Sequence, residues 1–199
     1  MKRSIWTTVF LVAMSGAFAQ KSATKKFFMD VHQMEPGKVT FDAVMEAHQK
    51  DLKTGPEYGV DFMKFWVDEK KGLIYCLASA GKASDLTTAH KHAHGLLPKD
   101  VYEVKSSMVD PEVPGKQYFM DFHYVGPGQV TEQAVAGAHE KDLSVQRKYG
   151  VNLINYWLDE KKGVIFCLAQ AADSAALINT HKEAHGLLPN TVQTVKQGQ

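Results

Sequence analysis

Histidines occur in pairs, one helical turn apart, at two places in this 199-residue chain. The segment TAHKHAHGLLP contains His90 and His94, and the segment NTHKEAHGLLP contains His181 and His185. Residues four apart share one face of a helix, so each pair could direct two imidazole nitrogens at a single ion. Imidazole is a suitable ligand for nickel, copper and zinc, and a nearby carboxylate would balance the charge of such a divalent ion.

A second group of candidate ligands lies on the helix predicted earlier in each copy. His48 falls on the apolar face of that helix with Val44 and Leu52, and Asp51, three residues further on, can reach the same side. If the two helices lie side by side on a sheet, these residues converge with the histidine pair. The predicted metal ligands are His48, Asp51, His90 and His94 in one copy and His139, Asp142, His181 and His185 in the other.

The two histidine segments belong to a gapless internal repeat with an offset of 91 positions, which is the separation of His90 and His181. FFMDVHQMEPGKVT aligns with YFMDFHYVGPGQVT, and WVDEKKG aligns with WLDEKKG. A repeat of this length is too long for a solenoid unit and indicates two complete small domains. We predict repeats over 26–106 and 117–199, joined by a Pro-rich linker over 107–116.

Each repeat has the element order β-α-β-β-α-β, with DEKKG as the turn of the central hairpin. Thr40 is the predicted N-cap of the first helix, Ser84 that of the second, and Gly95 follows the end of the second. This order is that of a ferredoxin-like unit, whose sheet has one face covered by helices and one face bare. The sequence therefore predicts an α+β fold in which the two repeats pack sheet to sheet as a pseudo-dimeric α+β barrel within one monomer.

The first predicted strand of each repeat carries an Asp-x-His pair, which is Asp30 with His32 in the first copy. Residues two apart in a strand share a sheet face. Their alternates Met29 and Val31 are apolar and are expected to face the helices, which would direct Asp30 and His32 into the barrel between the repeats. The corresponding pair of the second repeat is Asp121 with His123.

The chain has two cysteines, and each lies in the middle of a predicted strand. Tyr75 and Leu77 look like helix-facing residues, which would place Cys76 in the barrel near His32, although the opposite parity stays open. A cysteine here could be a small buried apolar residue or a soft metal ligand. A disulfide framework is not indicated. The second set of candidate metal ligands is His32, Cys76, His123 and Cys167.

The same alternation places two tryptophans inside the barrel. Trp66 and Trp157 occupy matching positions in the repeats and are expected to point to the interior, beside Lys64 and Asn155. In an enzyme, these indole rings would shape a cavity between the repeats.

Residues 1–19 have the pattern of a secretory signal peptide, with Lys2 and Arg3 at the start and Ala17-Phe18-Ala19 at the end. We expect cleavage before Gln20 and a periplasmic or secreted protein that retains no membrane span. Cleavage would reduce the 23 basic residues to 21, against 22 acidic ones. A net charge of about −1 gives no electrostatic case for binding nucleic acid.

The elements DVH, AHQKDL, FWVDEKKG and HKHAHGLLP resemble a bacterial family of small nickel-binding proteins that was formerly a domain of unknown function. The resemblance covers both repeats. It implies a ferredoxin-like fold that pairs into a dimeric α+β barrel, and a divalent metal ion, with nickel first and zinc or copper as alternatives. A typical member is a single domain without an export signal, so the present chain departs from the family in both respects. The resemblance implies that the nickel ligands of the first repeat come from His32, His48, Asp51, Cys76, His90 and His94.

Three functions follow from these observations. The first is an exported metal-binding protein with two pseudo-equivalent sites, which sequesters or buffers nickel rather than catalysing a reaction. The second is a cofactor-free barrel enzyme, resembling oxygenases or isomerases, that uses the inter-repeat cavity with Asp30–His32 and Asp121–His123 as acid–base pairs. The third is an interaction module in which the histidines are structural.

Overall fold

The computed structural model describes residues 24–108 and 111–199. The predicted signal peptide over 1–19 lies outside these residues, as do residues 109 and 110 of the predicted linker. Within the described part of the chain, none of the helices combines the length and the apolar character that a bilayer span requires.

The first repeat has the predicted βαββαβ order. Its last strand continues two residues into the segment predicted as linker. The elements are β1 (Lys26–Gln33), α1 (Phe41–Thr54), β2 (Asp61–Asp68), β3 (Leu73–Ala80), α2 (Ala83–Ala93) and β4 (Asp100–Met108).

The second repeat has the same order, so the predicted fold class is confirmed in both copies. The elements are β5 (Gln117–Tyr124), α3 (Glu132–Val145), β6 (Asn152–Asp159), β7 (Val164–Ala171), α4 (Ser174–Ala184) and β8 (Thr191–Gly198).

The helices begin where side chains can satisfy the free backbone N–H groups of the first turn. Thr40 caps α1 as predicted, since its Oγ1 accepts a hydrogen bond from the N–H of Ala43 at 3.3 Å. The prediction of Ser84 as the cap of α2 is wrong, because α2 begins at Ala83 with Lys82 at the N-cap position. There the carboxylate of Asp85 accepts from the N–H of Lys82 at 3.2 Å, which fixes the earlier start.

The eight strands close into a barrel in the order β1-β3-β2-β8-β5-β7-β6-β4. Within each repeat the strands pair antiparallel as a ferredoxin-like sheet. Two further antiparallel pairs, β2 with β8 and β4 with β6, join the repeats. Closure pairs the edge strands of both sheets and buries the face that the helices leave bare.

The barrel interior is filled by large apolar side chains from both repeats. The indole rings of Trp66 and Trp157 lie 5.1 Å apart, as expected for two residues that point to the interior. Burial of this cluster is the main apolar contribution to joining the repeats. Its buried members are Met29, Trp66, Tyr75, Val104, Met120, Ile154, Trp157, Val164, Phe166, Leu168 and Val195.

The predicted parity of β1 is wrong, and in β3 the opposite parity, which the sequence left open, is the one observed. Met29, Val31 and Tyr75 point into the barrel, whereas Asp30 and Cys76 point to the helix side of the sheet. Leu77 also packs against the interior cluster and not against the helices. The error has a physical cause: both faces of these strands are buried, so an alternating pattern does not tell which face is the barrel face.

The hairpin between β6 and β7 is held by a close approach of two backbone segments at Gly163. Its φ of 65° is in the left-handed region, and a Cβ atom there would overlap the carbonyl oxygen of Gly126. The carbonyl of Gly163 in turn accepts the N–H of Val125 at 2.9 Å. The glycine is therefore required both by its conformation and by its neighbour.

We predict that Gly163→Ala lowers the free energy of unfolding by about 3 kcal/mol or more, because left-handed strain and overpacking act together. Gly150→Ala is the matched control, since Gly150 has a φ of 66° and open space where the added methyl group would lie. It should cost only about 1–2 kcal/mol of conformational strain. Urea unfolding of the two variants checks the difference, and equal losses would contradict the close approach.

Candidate metal centre

Each repeat gathers its histidines and carboxylates on the outer face of the sheet, under its two helices. In the first repeat β1 contributes Asp30 and His32, and β3 contributes Cys76, which lies opposite Asp30 in the strand register. Helix α1 contributes the buried residues His48 and Asp51, and α2 with its C-cap contributes His90 and His94. The predicted helix set and the predicted strand set therefore form one continuous site.

His90 is the centre of this site, because both of its ring nitrogens contact carboxylates. Its Nδ1 lies 2.9 Å from Oδ1 of Asp51, and its Nε2 lies 3.2 Å from Oδ2 of Asp30. All three side chains are buried. An imidazole that donates from both nitrogens is an imidazolium, so the arrangement is a buried cation between two anions.

His94 lies at the C-cap of α2 and completes the helix-side cluster. Its Nε2 is 3.1 Å from Oδ1 of Asp51 and 3.2 Å from Nδ1 of His90. Its Nδ1 accepts the backbone N–H of Leu96 at 3.1 Å, which leaves the proton of the neutral ring on Nε2, facing Asp51. Asp51, His90 and His94 thus offer three ligand atoms within 4.8 Å of one another.

The strand side of the site forms a second group of three. Asp30, His32 and Cys76 also offer ligand atoms within 4.8 Å of one another, and all three are buried. The Nε2 atom of His32 lies 3.1 Å from Oδ1 of Asp30. Asp30 therefore joins the two groups, since its other oxygen contacts His90.

His48 differs from the other histidines of the first repeat. It is buried, its ring packs 5.2 Å from that of Phe65, and neither ring nitrogen has a hydrogen-bond partner among the described residues. It lines a cavity of about 160 Å³ together with Asp51, Cys76 and His90. A buried imidazole without a partner is costly, so its nitrogens are available to a ligand that enters this cavity.

The second repeat reproduces this geometry closely. His181 Nδ1 lies 3.0 Å from Asp142 Oδ1, and its Nε2 lies 3.3 Å from Asp121 Oδ2. His185 Nε2 is 3.2 Å from Asp142, and His123 Nε2 is 3.1 Å from Asp121. The two groups of candidate ligands are Asp142, His181 and His185, and Asp121, His123 and Cys167.

The cavity of the second repeat, about 130 Å³, differs from the first at its walls. His139 packs 5.1 Å from the ring of Tyr156, which replaces the apolar Phe65 of the first repeat. Met34 and Lys38 line only the first cavity, and the residues at these positions in the second repeat are Val125 and Gln129. The two sites are equivalent in their candidate ligands and not in their surroundings.

Proton positions in the site follow from burial and from the carboxylate–imidazole contacts. Burial alone would raise the pKa of Asp30, but contacts with His32 and His90 hold it at about 2. Burial disfavours the charged form of His90, but the hydrogen bonds to Asp30 and Asp51 outweigh it and raise the pKa of His90 to about 10. Burial raises the pKa of the Cys76 thiol well above its usual range. Without a cation, the cysteine is therefore a neutral thiol.

The sequence identifies most residues of this site, but it predicts the wrong surroundings for some of them. Leu52, predicted on the buried face of α1, is exposed, and its neighbour Asp51 is buried instead. Asp30 and Asp121, predicted as acid–base residues in the barrel, lie among the candidate metal ligands. Their signal in the sequence is the D-x-H spacing, which brings a carboxylate and an imidazole onto one sheet face.

The enzyme hypothesis based on the barrel cavity needs a correction. Asp30 contacts His90 of α2 and His32 lines the helix-side cavity, so this pair lies outside the barrel. Asp121 and His123 are placed in the same way in the second repeat. Acid–base chemistry by these pairs in the inter-repeat cavity is therefore excluded by their positions.

Comparisons with known proteins relate both repeats to one family. The family described as "Nickel responsive protein SCO4226-like" matches residues 28–104 and 119–195. The chain is similar to the solved structure of SCO4226 from Streptomyces coelicolor A3(2), with 36% identity over 39% of this chain and 94% of that chain, and a TM-score of 0.37. No curated protein matches the chain.

More distant solved structures cover both repeats. A variant of chlorite dismutase from Candidatus Nitrospira defluvii is 10% identical over 88% of this chain and 92% of that chain, with a TM-score of 0.48. An anthrone oxidase-like protein is 10% identical over 87% of this chain and 92% of that chain, with a TM-score of 0.44.

We predict that the metal-free protein loses stability as the pH rises from 6.5 towards 10, because the pKa of His90 is raised from 6.5 to about 10 on folding. A group whose pKa is higher in the folded protein than in the unfolded one stabilises the fold fully at pH values below its unfolded pKa. This stabilisation is lost as the pH rises through its folded pKa. His181 adds the same dependence. The lowered pKa of Asp30 acts in the opposite direction, and its contribution is lost as the pH falls from 3.8 through about 2.

Urea unfolding in the presence of a chelator, at a series of pH values, measures this dependence. The combined changes His90→Gln and His181→Gln should flatten the alkaline slope. The matched control His92→Ala lies on the exposed side of α2 and should leave the slope intact. A wild-type free energy of unfolding that does not change between pH 6.5 and 10 would contradict the buried imidazolium.

Proposed function

This chain belongs to the family of SCO4226-like nickel responsive proteins, and on that premise we propose that each of its repeats binds nickel in the cluster under its two helices. In the first repeat the proposed ligands of the helix side are Asp51, His90 and His94, with His48 beside them. The strand-side residues His32 and Cys76 extend the same site. The corresponding residues of the second repeat are His139, Asp142, His181, His185, His123 and Cys167.

The observation that carries this proposal is the convergence of three ligand atoms from two helices. The atoms of Asp51, His90 and His94 are separated by 2.9 to 3.2 Å. Two ligand atoms at right angles on one ion, with bonds of about 2.1 Å, lie about 3 Å apart. The spacing therefore suits a shared cation as well as a shared proton. The nitrogen, oxygen and sulfur donors fit a borderline divalent ion such as nickel, with zinc or copper as competitors.

The unpartnered ring of His48 supports the same assignment. It is buried against Phe65 and lines the cavity that the helix-side ligands also line. Burial lowers the pKa of His48, which favours the neutral imidazole that can bind a metal. A structural role would leave both of its nitrogens without a hydrogen bond, so a ligand role explains its burial better.

Asp30 has a defined part in this proposal, although it is not the nearest ligand. Its Oδ2 holds the Nε2 proton of His90, so the nitrogen that faces Asp51 and His94 is Nδ1. A histidine that binds metal through one nitrogen commonly donates from the other to a carboxylate, which fixes its orientation. Nickel binding would therefore replace the Nδ1 proton of His90 and leave the Nε2 proton in place.

We propose sequestration or buffering of the ion as the physiological role. Most of the proposed ligands are buried, and the site is duplicated in one chain. The barrel side of the sheet, opposite Asp30 and His32, is occupied by apolar packing. These features suit reversible storage of a cation in two sites.

We predict that the tag-free protein binds nickel at one site per repeat. His90→Ala with His94→Ala should remove one site, and the further changes His181→Ala and His185→Ala should remove the other, because each pair supplies two ligands. Calorimetric titration and elemental analysis measure affinity and stoichiometry. Titration in two buffers of different ionisation enthalpy should reveal proton release, which the imidazolium of His90 requires.

His92→Ala is the matched control, since His92 lies on the same helix, is exposed, and stacks on the ring of Tyr58. It should bind as many nickel ions as the wild type. Undiminished nickel binding by the fourfold variant, with its fold intact by circular dichroism, would show that the helix histidines are structural.

We also propose that the protein acts outside the cytoplasm, in the periplasm or the medium. The basis is the leader pattern of 1–19, with its basic start and its A-x-A end. We predict that protein from the native host begins at Gln20 and lacks residues 1–19 in its intact mass. Recovery of the full-length chain from the cytosolic fraction would contradict export. As a control, replacing Ala19 with a bulky residue should block cleavage, because this position requires a small side chain.

A further inference from the structure

The cavity of the first repeat has an apolar outer part that is open to solvent. Its outer walls are apolar side chains that are exposed or half-buried, namely Met34, Ala43, Ala47 and Leu96. Leu96 alone is 45% exposed. The inner end of the cavity is formed by the buried histidines and the carboxylate of the metal cluster. A molecule from solvent therefore meets an apolar surface before it meets any of the proposed nickel ligands.

A lysine lies at the mouth of this cavity and has no anionic partner. Lys38 lines the cavity and is exposed, and its ammonium group forms no ion pair within the part of the chain that the structure describes. Glu35, in the same turn, contacts Lys38 through its backbone carbonyl, which accepts the N–H of Lys38 at 3.1 Å. The flexible stem of a lysine allows its ammonium group to turn towards an anion at the mouth.

The inner end of the cavity has the opposite electrostatic character. His90 lies between the carboxylates of Asp30 and Asp51, so this buried group of one cation and two anions has a net charge of about −1 without a metal ion. An anionic head group is therefore attracted by Lys38 and repelled by the inner end. A ligand with one charged end and one apolar end would lie with its charge at the mouth and its chain along the walls.

The second repeat does not reproduce this arrangement. Gln129 occupies the position of Lys38, and no lysine or arginine among the described residues lines the second cavity. Tyr156 forms part of its wall, at the position that Phe65 has in the first repeat. The cation at the mouth thus belongs to the first repeat alone, and the second repeat provides an internal control.

We propose that the cavity of the first repeat binds a short-chain aliphatic monocarboxylate, with its carboxylate on Lys38 and its hydrocarbon chain along the apolar walls. The cavity volume of about 160 Å³ equals that of about five molecules of liquid water, which suits a chain of about four carbons. Apolar walls with one charged group to orient the ligand are typical of sites for small molecules. The binding groups are Lys38 and the outer walls, so the site goes beyond nickel binding and does not require the ion.

The test uses butyrate as the probe and butyramide as a neutral probe of the same size. The metal-free protein, dialysed free of chelator into a buffer without carboxylate or phosphate, is titrated and followed by the amide NMR signals of residues 38–48. One butyrate should bind per chain, about fivefold more tightly than butyramide, as one solvent-exposed ion pair allows. Acetate lacks two methylene groups and should bind about tenfold more weakly than butyrate.

Two matched pairs of variants locate the ligand. Lys38→Gln should reduce the affinity for butyrate to that for butyramide, whereas Lys53→Gln removes an exposed lysine that does not line the cavity and should keep the preference. Ala43→Leu should fill the cavity and abolish binding of both probes. Ala134→Leu makes the same change at the equivalent position of the second cavity and should leave binding intact.

Equal affinities of the wild type for butyrate and butyramide would overturn the proposal. Equal effects of the two lysine variants would do the same, as would equal effects of the two leucine variants, with the fold of each variant verified by circular dichroism. The titrations contain no nickel, so their outcome is independent of whether the proposed metal sites are correct.

Discussion

The contact of one buried imidazolium with two carboxylates links a strand and both helices of each repeat. His90 on α2 reaches Asp30 on β1 and Asp51 on α1, so the charge holds both helices to the outer face of the sheet. Removing one partner of such a group would leave a buried charge uncompensated, which costs several kcal/mol. His94, His32 and Cys76 lie around this group, close to its two carboxylates.

Duplication within one chain lets the two bare sheet faces bury each other and allows the two halves to differ. Closure of the barrel by β2 with β8 and β4 with β6 replaces a dimer interface by intramolecular pairing. In a dimer of identical chains, any change would appear on both sides of the two-fold axis. Here Gln197 accepts the indole N–H of Trp66, whereas Ser106, its equivalent in the first repeat, does not bond to Trp157. In the same way, His48 packs on Phe65, whereas His139 packs on Tyr156, the equivalent residue of the second repeat.

The sequence predicted the element order, the barrel and the composition of the site, and it failed on which face the first strand of each repeat presents. The repeat and the periodicities determine the βαββαβ order, because each element has its own spacing of apolar residues. The orientation of Asp30 could not follow from alternation, since Met29 on the other face is equally buried. What fixes it is the charge of His90, a residue 60 positions away, which only the folded arrangement brings to Asp30.

Hydrogen bonds of the cluster and coordination of a cation compete for the same atoms. His94 accepts the N–H of Leu96 on Nδ1, so its neutral ring carries a proton on Nε2, the atom that faces Asp51. Coordination of the proposed ion through that nitrogen would require the proton on Nδ1, where it would oppose the N–H of Leu96. The loop after α2 would then have to release this amide, whereas His90 could keep its bond to Asp30. Metal binding at the proposed site would therefore be linked both to the protons of His90 and to the conformation of the HGLLP segment.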